Sequence, residues 1–183
     1  MSDATTSNGT AHDAATGMTA TGMTGRDATS GQITIGDAAR SDLAAVAELR
    51  WQWVLENEGV PVVSHDEFVE ILTDWAALHA GSHTCTVARR GATVIGMAWL
   101  AVVPRVPSAR ALVRASGDVQ SVYVTPDERG AGVGGRMIDA VLRRAFSLGL
   151  ERVTVHSTPG AITAYTRAGF AASDRLLQAT PEP

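Results

Sequence analysis

A cluster of four glycines is the first feature of this sequence that suggests chemistry. Gly130, Gly132, Gly134 and Gly135 lie in the stretch RGAGVGGRM, at the start of an apolar helical pattern. Glycine in a helix costs about 1 kcal/mol relative to alanine, so the cluster needs a compensating role. Without side chains in the way, an anion can approach the backbone N–H donors, where the helix dipole attracts it. Arg129 adds a planar donor fork that suits phosphate oxygens, so the pattern favours a phosphate-binding loop.

Two better-known glycine loops fit this stretch poorly. A nucleotide-triphosphate loop needs a lysine, and all 15 Lys or Arg residues of this chain are arginines. Gly130, Gly132 and Gly135 satisfy the G-x-G-x-x-G pattern of dinucleotide-binding folds, but there the first glycine follows the strand almost directly and an acidic residue ends the next strand. Here TPDER intervenes, and the next strand ends in His156 and Ser157. A cradle for another phosphate remains, as does a turn that merely lets a helix pack closely on a sheet.

The elements around the loop can be read from periodicity and caps. Residues 118–125 predict a strand that Pro126 ends, and residues 130–148 predict a helix that ends at Gly149. Residues 152–157 predict the next strand, and Thr158 is placed to cap a helix that follows it. The loop is therefore expected between a strand and a long helix.

The remaining elements complete an alternating pattern. A strand at QITIGDA precedes a helix that ends near Glu56, and Ser64 with Glu67 forms a capping-box pattern for a second helix. We expect Phe68, Ile71, Leu72, Trp75 and Leu78 to form the buried stripe of that helix. Two strands separated by Gly91 follow, and GFAASDRLLQA predicts a last strand or strand pair. The order β-α-α-β-β-β-α-β-α-β predicts an α/β fold, a mixed sheet with helices on both faces.

Composition limits the domain organisation and the partners. Residues 1–31 contain almost nothing to bury and predict a disordered, low-complexity tail, which leaves residues 32–183 as a single domain. The net charge of −4 argues against a nucleic-acid partner. No segment reaches the length of a membrane span, and no signal-peptide pattern opens the chain. One cysteine, Cys85, excludes an intrachain disulfide, so we expect a cytoplasmic protein, and no spacing of His, Cys and carboxylates predicts a metal.

Two motifs carry a resemblance to a known family. The stretch VYVTPDERGAGVGGRMIDAVLRRA resembles the acetyl-CoA-binding motif of the GNAT superfamily of acyl-CoA N-acyltransferases, V-x-P-x-x-R-G-x-G-x-G/A followed by an amphipathic helix. Downstream, TPGAITAYTRAGF resembles that family's motif N-x-x-A-x-x-x-Y-x-x-x-G-F, with Thr158 in place of the usual Asn. The upstream stretch ITIGDAARSDLAAVAEL also looks like the family's first strand and helix, so the resemblance covers roughly residues 32–178.

The resemblance implies a GNAT-like fold and a site for acetyl-CoA. The central sheet would be mostly antiparallel, and strands 118–125 and 152–157 would splay apart to hold the thioester end. Backbone groups of Val122, Tyr123 and Val124 would pair with the pantetheine arm, and Thr158 would belong to the same site. The pyrophosphate would be held by N–H groups of a continuous run, Arg129, Gly130, Ala131, Gly132, Val133, Gly134 and Gly135.

Three side chains are candidates for proton transfer. Tyr165 stands at the motif position that faces the thiolate sulfur in the family, so the resemblance implies a general acid, although it could instead only pack or bind the cofactor. Asp118 would act as a base through water, as a carboxylate on this strand does in many family members, or would simply face solvent. His156 ends a strand beside the expected slot and could shuttle a proton or only line the pocket.

These residues lead to a functional hypothesis with one alternative. We expect an acetyl-CoA-dependent N-acetyltransferase that acts directly on a primary amine of a small molecule or peptide. Trp51 or Trp53 could contact that acceptor, because the first two helices usually shape the acceptor pocket in this family. The alternative is a non-catalytic acyl-CoA-binding module, and a homodimer is possible in either case.

Overall fold

The computed structural model describes residues 31–181, so all but the last residue of the expected tail at 1–31 lies outside it, as do residues 182 and 183. The described part contains five strands and four helices. The strands are β1 (Ile33–Asp37), β2 (His83–Arg90), β3 (Thr93–Pro104), β4 (Ala115–Val124) and β5 (Val153–Val155). The helices are α1 (Leu43–Asn57), α2 (His65–Leu78), α3 (Val133–Ser147) and α4 (Ile162–Arg167).

Several helix ends lie where the sequence predicts them. Ser64 caps α2 by accepting a hydrogen bond from the Glu67 N–H at 3.4 Å, as the capping-box pattern indicates. Gly149 follows α3 with a φ of 72°, a left-handed conformation that glycine adopts without strain. Thr158 and Pro159 open a short turn of 3-10 helix that leads into α4. Thr158 holds the N-cap position of that turn, but its side chain makes no capping hydrogen bond.

The sheet has the strand order β1-β2-β3-β4-β5. Each of the first four strands pairs antiparallel with its neighbour, and β5 pairs parallel with β4. The parallel pair is possible because α3 makes the crossover between these strands. The predicted mixed, mostly antiparallel α/β sheet is confirmed.

Helices cover both faces of the sheet because successive side chains of β3 point to opposite sides. Met97 and Trp99 pack in one cluster with Val46 and Leu49 of α1. The neighbouring residues on β3, Ala98 and Leu100, pack on the other face with α3, which contributes Val133, Met137, Ile138 and Val141. The continuous apolar run of β3 is thus explained by burial on both faces.

The pairing between β4 and β5 is short, and this opens the sheet. Only residues 117–119 of β4 pair with residues 153–155 of β5. Beyond Val119, β4 continues to Val124 without this partner, and a cavity lined by both strands lies between them. The predicted strand 152–157 is therefore shorter than expected, while the expected separation of the two strands is present.

Two sequence predictions about apolar segments are wrong. The segment GFAASDRLLQA contains no strand, and Leu177 is 91% exposed. Its two leucines are adjacent, so an alternating strand could bury only one of them, and its alanines offer little area. On α2, Ile71, Trp75 and Leu78 are exposed, because the side of this helix that is buried against α1 and the sheet carries Leu72 and Ala76 instead.

We expect Gly96→Ala to destabilise the fold. A Cβ at Gly96 would lie 2.8 Å from Met137 Sδ and 3.1 Å from the Tyr123 carbonyl oxygen, and Met137 is fully buried. Overpacking of this kind costs about 1–3 kcal/mol. Urea denaturation should show this loss for Gly96→Ala and little change for Gly36→Ala, whose Cβ would meet nothing within 4 Å. Equal stability of the two variants would contradict the close packing.

Candidate active site

Two adjoining cavities lie where β4 and β5 separate. The central cavity has a volume of about 250 Å³, and the side cavity one of about 490 Å³. They share walls from α1, β4 and the segment after β5, namely Trp53, Asn57, Val119, Ser121, His156, Ser157 and Thr158. A molecule in one cavity would therefore lie directly beside a molecule in the other.

The central cavity brings together most of the residues singled out in the sequence. It is lined by Val122, Tyr123, Val124, Arg129, His156, Thr158 and Tyr165. Asp118 lies on the wall of the side cavity instead. The glycines at 130–135 line neither cavity; they form the turn and the first residues of α3, next to Arg129.

Backbone conformation explains two of the loop glycines. Gly130 and Gly132 have φ values of 79° and 74°, in the left-handed region that favours glycine. Gly132 is the N-cap of α3, and the first intrahelical bond runs from the Arg136 N–H to its carbonyl. The N–H groups of the helix's first residues therefore have no partner inside the helix, as at any helix start. This end of α3 presents donors to an anion.

Neither packing nor backbone conformation explains the other two glycines. A Cβ at Gly135 would meet nothing within 4 Å, and one at Gly134 would meet only Val124 Cγ2 at an ordinary 3.9 Å. Neither residue has a positive φ. The idea that the glycines only allow a close helix–sheet contact therefore does not fit these positions. The open space beside Gly134 and Gly135 is instead consistent with a ligand that approaches the backbone there.

The Arg129 side chain already makes hydrogen bonds within the protein, so phosphate binding is not its only role. Its Nε donates to the Val124 carbonyl at 2.9 Å, and its Nη2 donates to Glu56 Oε2 at 2.8 Å. The guanidinium also lies 5.2 Å from the Tyr123 ring centroid. The side chain thus ties the loop to the end of β4 and to α1, and its donor fork is already partly used.

Glu56 is a site residue that sequence reasoning missed. Besides Arg129, it accepts a hydrogen bond from the Tyr123 hydroxyl at 2.5 Å, and it lines the central cavity. The bonds from Tyr123 and then Arg129 lower the pKa of Glu56, whereas burial and then Glu56 raise the pKa of Tyr123 to about 12. The only local signal was its position three residues after Trp53, on the same side of α1.

Tyr165 is the most buried ionisable group of the central cavity outside this cluster. Its side chain packs edge-on against Phe170, with ring centroids 5.3 Å apart, and 8% of the residue is exposed. Burial raises the pKa of its phenol. The hydroxyl is therefore neutral at physiological pH and can donate a proton into the cavity.

Asp118 and His156 occupy the two strands that separate. Asp118 accepts hydrogen bonds from Thr154 Oγ1 and Gln120 Nε2, both at 3.1 Å, so its carboxylate is held in position rather than free in solvent. His156 follows β5, is exposed, and lines both cavities. Thr158, on the same segment, also faces both cavities. Asp118 thus lies in the short paired segment of β4, and His156 lies just beyond the paired part of β5.

A bulge in β4 is the second feature that the sequence did not reveal. Ser121 and Val122 of β4 together lie opposite Ala98 of β3, because the register shifts there. Ser121 has a positive φ of 51°, which is uncommon for a residue with a side chain, and such residues cluster at active sites. A bulge leaves backbone groups out of the sheet ladder, and this one lies on the wall that the two cavities share.

The two tryptophans of α1 have different surroundings. Trp53 lines both cavities, and the Arg50 guanidinium stacks over its ring at 4.0 Å. Trp51 instead contacts His65 and Phe68 of α2, with ring centroids 5.3 and 5.6 Å away. Of the two, Trp53 is therefore the residue placed to contact a bound molecule.

Two searches over residues 31–181 bear on metals and membranes. No three His, Cys, Asp or Glu side chains of this part of the chain come together as metal ligands would. None of its helices combines the length and apolarity needed to cross a membrane.

Comparisons with known proteins agree with this geometry. The model of the Acetyltransferase (GNAT) family matches residues 44–170, and no curated protein is similar enough in sequence to count as a match. A predicted acetyltransferase from Clostridium acetobutylicum, solved with acetyl-CoA, has a TM-score of 0.68 at 16% identity, with 81% of this chain and 96% of that one covered. An acetyltransferase from Trypanosoma brucei has a TM-score of 0.64 at 24% identity, over 82% and 100% of the chains. Glucosamine-6-phosphate N-acetyltransferase from Arabidopsis thaliana has a TM-score of 0.64 at 14% identity, over 82% and 99%. At these identities the structural likeness establishes the fold.

We expect Glu56→Gln to change the pH dependence of stability. The pKa of Glu56 is lower in the folded chain than its ordinary 4.5, so its ionised form stabilises the fold above that pH. This contribution is lost as the pH falls through the lower folded value. The wild type should therefore be more stable than Glu56→Gln at about pH 7, and this difference in unfolding free energy should shrink as the pH is lowered to about 3.5, as measured by urea denaturation.

Tyr123→Phe is the matched variant for this measurement. It keeps the carboxylate and removes the hydroxyl that lowers the pKa of Glu56 most. Its stability should fall less on acidification than that of the wild type. If the wild type is more stable than Glu56→Gln by an amount that does not change with pH, ionised Glu56 does not stabilise the fold as expected.

Proposed function

Because this chain belongs to the GNAT acetyltransferase family, whose model matches residues 44–170, we propose that it transfers an acetyl group from acetyl-CoA directly to a primary amine of a small molecule or peptide. A cytoplasmic location is part of the proposal, supported by a lone cysteine that can form no intrachain disulfide. One observation carries the use of acetyl-CoA. Gly134 and Gly135 lack side chains where neither φ nor packing requires it.

The donor would be held mainly by backbone groups. The N–H groups at the start of α3 would bind the pyrophosphate, because a Cβ at Gly135 would point into open space and no side chain blocks the approach. Backbone groups of Val122, Tyr123 and Val124 would pair with the pantetheine arm, since β5 leaves this part of β4 without a partner on that side. Acetyl-CoA itself supplies an acetyl group activated as a thioester.

The bulge in β4 would stabilise the negative charge that develops on the acetyl carbonyl oxygen. The acetyl carbonyl oxygen gains charge when the amine attacks, and a preorganised backbone N–H stabilises that charge. The bulge at Ser121 and Val122 frees backbone groups from the sheet ladder on the cavity wall. We therefore assign polarisation of the carbonyl to the N–H groups of the Val122–Val124 region.

Tyr165 would act as the general acid. When the thioester bond breaks, the sulfur leaves as a thiolate and needs a proton. The buried phenol, whose pKa is raised, stays protonated and lines the central cavity, so it can donate that proton.

The attacking amine must lose protons to a base. An alkylammonium is mostly charged at neutral pH, so it must be deprotonated before or during attack. Asp118 is oriented by Thr154 and Gln120 and would act through water. His156 lines both cavities and would pass the proton to solvent.

We expect Gly135→Ala to weaken coenzyme A binding without weakening the fold. Alanine in a helix is favoured over glycine by about 1 kcal/mol, and its Cβ would meet nothing in the protein. The same methyl group would obstruct the pyrophosphate, so the Kd for coenzyme A should rise about tenfold or more in calorimetry. Gly36→Ala, equally unhindered but on β1, is the control. Tight binding by Gly135→Ala would mean that the glycines do not cradle the pyrophosphate.

We expect Tyr165→Phe to reduce turnover and leave donor binding unchanged. Loss of a general acid typically costs about 100-fold or more in kcat. Phenylalanine keeps the packing against Phe170, so the Kd for acetyl-CoA should stay near that of the wild type. The measurement is thiol release from acetyl-CoA with a panel of primary amines. If the wild type binds acetyl-CoA but acetylates no amine, the protein is a non-catalytic acyl-CoA-binding module instead.

A further inference from the structure

The side cavity contains groups of both charges beside the site of transfer. Its volume of about 490 Å³ is in the range of small-molecule sites. Its charged lining residues are Arg50, Glu58 and Asp118, one cation and two carboxylates. It adjoins the central cavity through Trp53 and His156 among other shared residues. Under the proposed function, a molecule here would lie next to the thioester.

Arg50 is poorly satisfied by the protein itself. Its Nη1 is the one buried side-chain nitrogen or oxygen without a hydrogen-bond partner within residues 31–181. The nearest carboxylate, Glu58, lies 3.9 Å from Nη2, beyond hydrogen-bond distance. Burial lowers the pKa of the guanidinium, which still remains charged at neutral pH. A sheltered charged donor without a partner carries a desolvation cost that a bound anion would offset.

Arg114, which has a similar exposure, is an example of an arginine in this protein whose donors have hydrogen-bond partners. The Arg114 side chain is 22% exposed, close to the 25% of Arg50. It makes two hydrogen bonds to Glu151, at 2.6 and 2.9 Å, and a third to the Val106 carbonyl. Arg50 has only the 3.9 Å ion pair with Glu58 and its stacking on Trp53, and it lines the wall of the side cavity.

We propose that Arg50 binds a carboxylate of the acceptor, so that the acceptor is a small amine that also carries a carboxylate, such as an amino acid. This inference rests on the proposed function. The planar guanidinium matches a carboxylate in shape and charge, and Asp118 on the β4 wall gives the ammonium group of the same molecule an opposite charge. A doubly charged phosphate fits less well, because the two carboxylates of the cavity would repel it more strongly than a singly charged carboxylate.

The test compares acceptors that differ only in the carboxylate. A panel of amino acids is assayed against the corresponding amino acid amides, with phosphoethanolamine as the phosphate-bearing amine. The amide has the less basic amine, so amine chemistry by itself favours the amide. We expect the wild type to acetylate amino acids with a kcat/KM about tenfold or more above that of the amides.

Variants then assign this preference to Arg50. Arg50→Gln should raise the KM for amino acids about tenfold or more, and should affect activity on the amides much less. Arg50→Lys keeps the positive charge and loses the planar donor fork, so its KM for amino acids should lie between those of the wild type and Arg50→Gln. Arg110→Gln removes the same charge from an exposed loop residue outside both cavities and should behave as wild type.

Binding without turnover gives an independent readout. Calorimetry of amino acids with the protein saturated with coenzyme A should show binding to the wild type and to Arg110→Gln, and a loss with Arg50→Gln. An unchanged Kd for coenzyme A shows that each variant is folded. This separates a specific effect from general damage.

Three results would overturn the inference. The first is a kcat/KM for the amides as high as that for the amino acids, and an equal loss of activity on both in Arg50→Gln would count in the same way. Either result would show that Arg50 does not bind the carboxylate, while the proposed function would stand. A preference for phosphoethanolamine that disappears in Arg50→Gln would reassign the anion to a phosphate. Failure of the wild type to acetylate any amine would remove the proposed function, and this inference with it.

Discussion

The short pairing of β4 with β5 is the constraint on which the rest of this structure depends. Two parallel strands joined by α3 remain together for three residue pairs and then diverge. A fully paired β5 would satisfy the outer edge of β4 and leave no space between the strands. Because pairing stops at Val119, the edge of β4 from Ser121 to Val124 faces a cavity, and the bulge at Ser121 lies where the separation begins. An opening of this kind weakens a sheet, so other contacts must hold its walls in place.

Those contacts come from α1 and from the glycine loop. Glu56 at the end of α1 accepts hydrogen bonds from Tyr123 on β4 and from Arg129 before the loop, so a single carboxylate joins three elements around the central cavity. Arg129 also bonds the last carbonyl of β4, Val124. The cluster lies on the wall of the cavity and contains one carboxylate and one guanidinium. A wall that is neutral as a unit adds little net field to the site, so the backbone donors of α3 are left to attract an anion.

The sequence predicts the features that depend on local chemistry. The ends of the helices, the glycine loop and the order of strands and helices through α4 all follow from patterns within a few residues of one another. The missed features depend on distant contacts: Glu56 meets its partners 67 and 73 residues away, and nothing near Glu56 in the chain indicates them. The bulge at Ser121 is similar, because register is a property of two strands and not of one. The last predicted strand fails for a local reason, since its adjacent leucines cannot both face a core.

The same distinction explains why the donor is easier to recognise than the acceptor. The proposed donor site would be built mostly from backbone N–H groups and a strand edge, and such a site requires glycines at fixed spacing, which a sequence displays directly. The side cavity is built from side chains of α1, β4 and the segment after β5. No spacing rule connects residues such as Arg50 of α1 and Asp118 of β4, which line the same cavity only in the folded structure. A site assembled this way can change its specificity by single substitutions without disturbing the glycine loop. The chemistry of the acceptor must therefore be inferred from charges left unsatisfied in the folded structure, and Arg50 is the clearest of these.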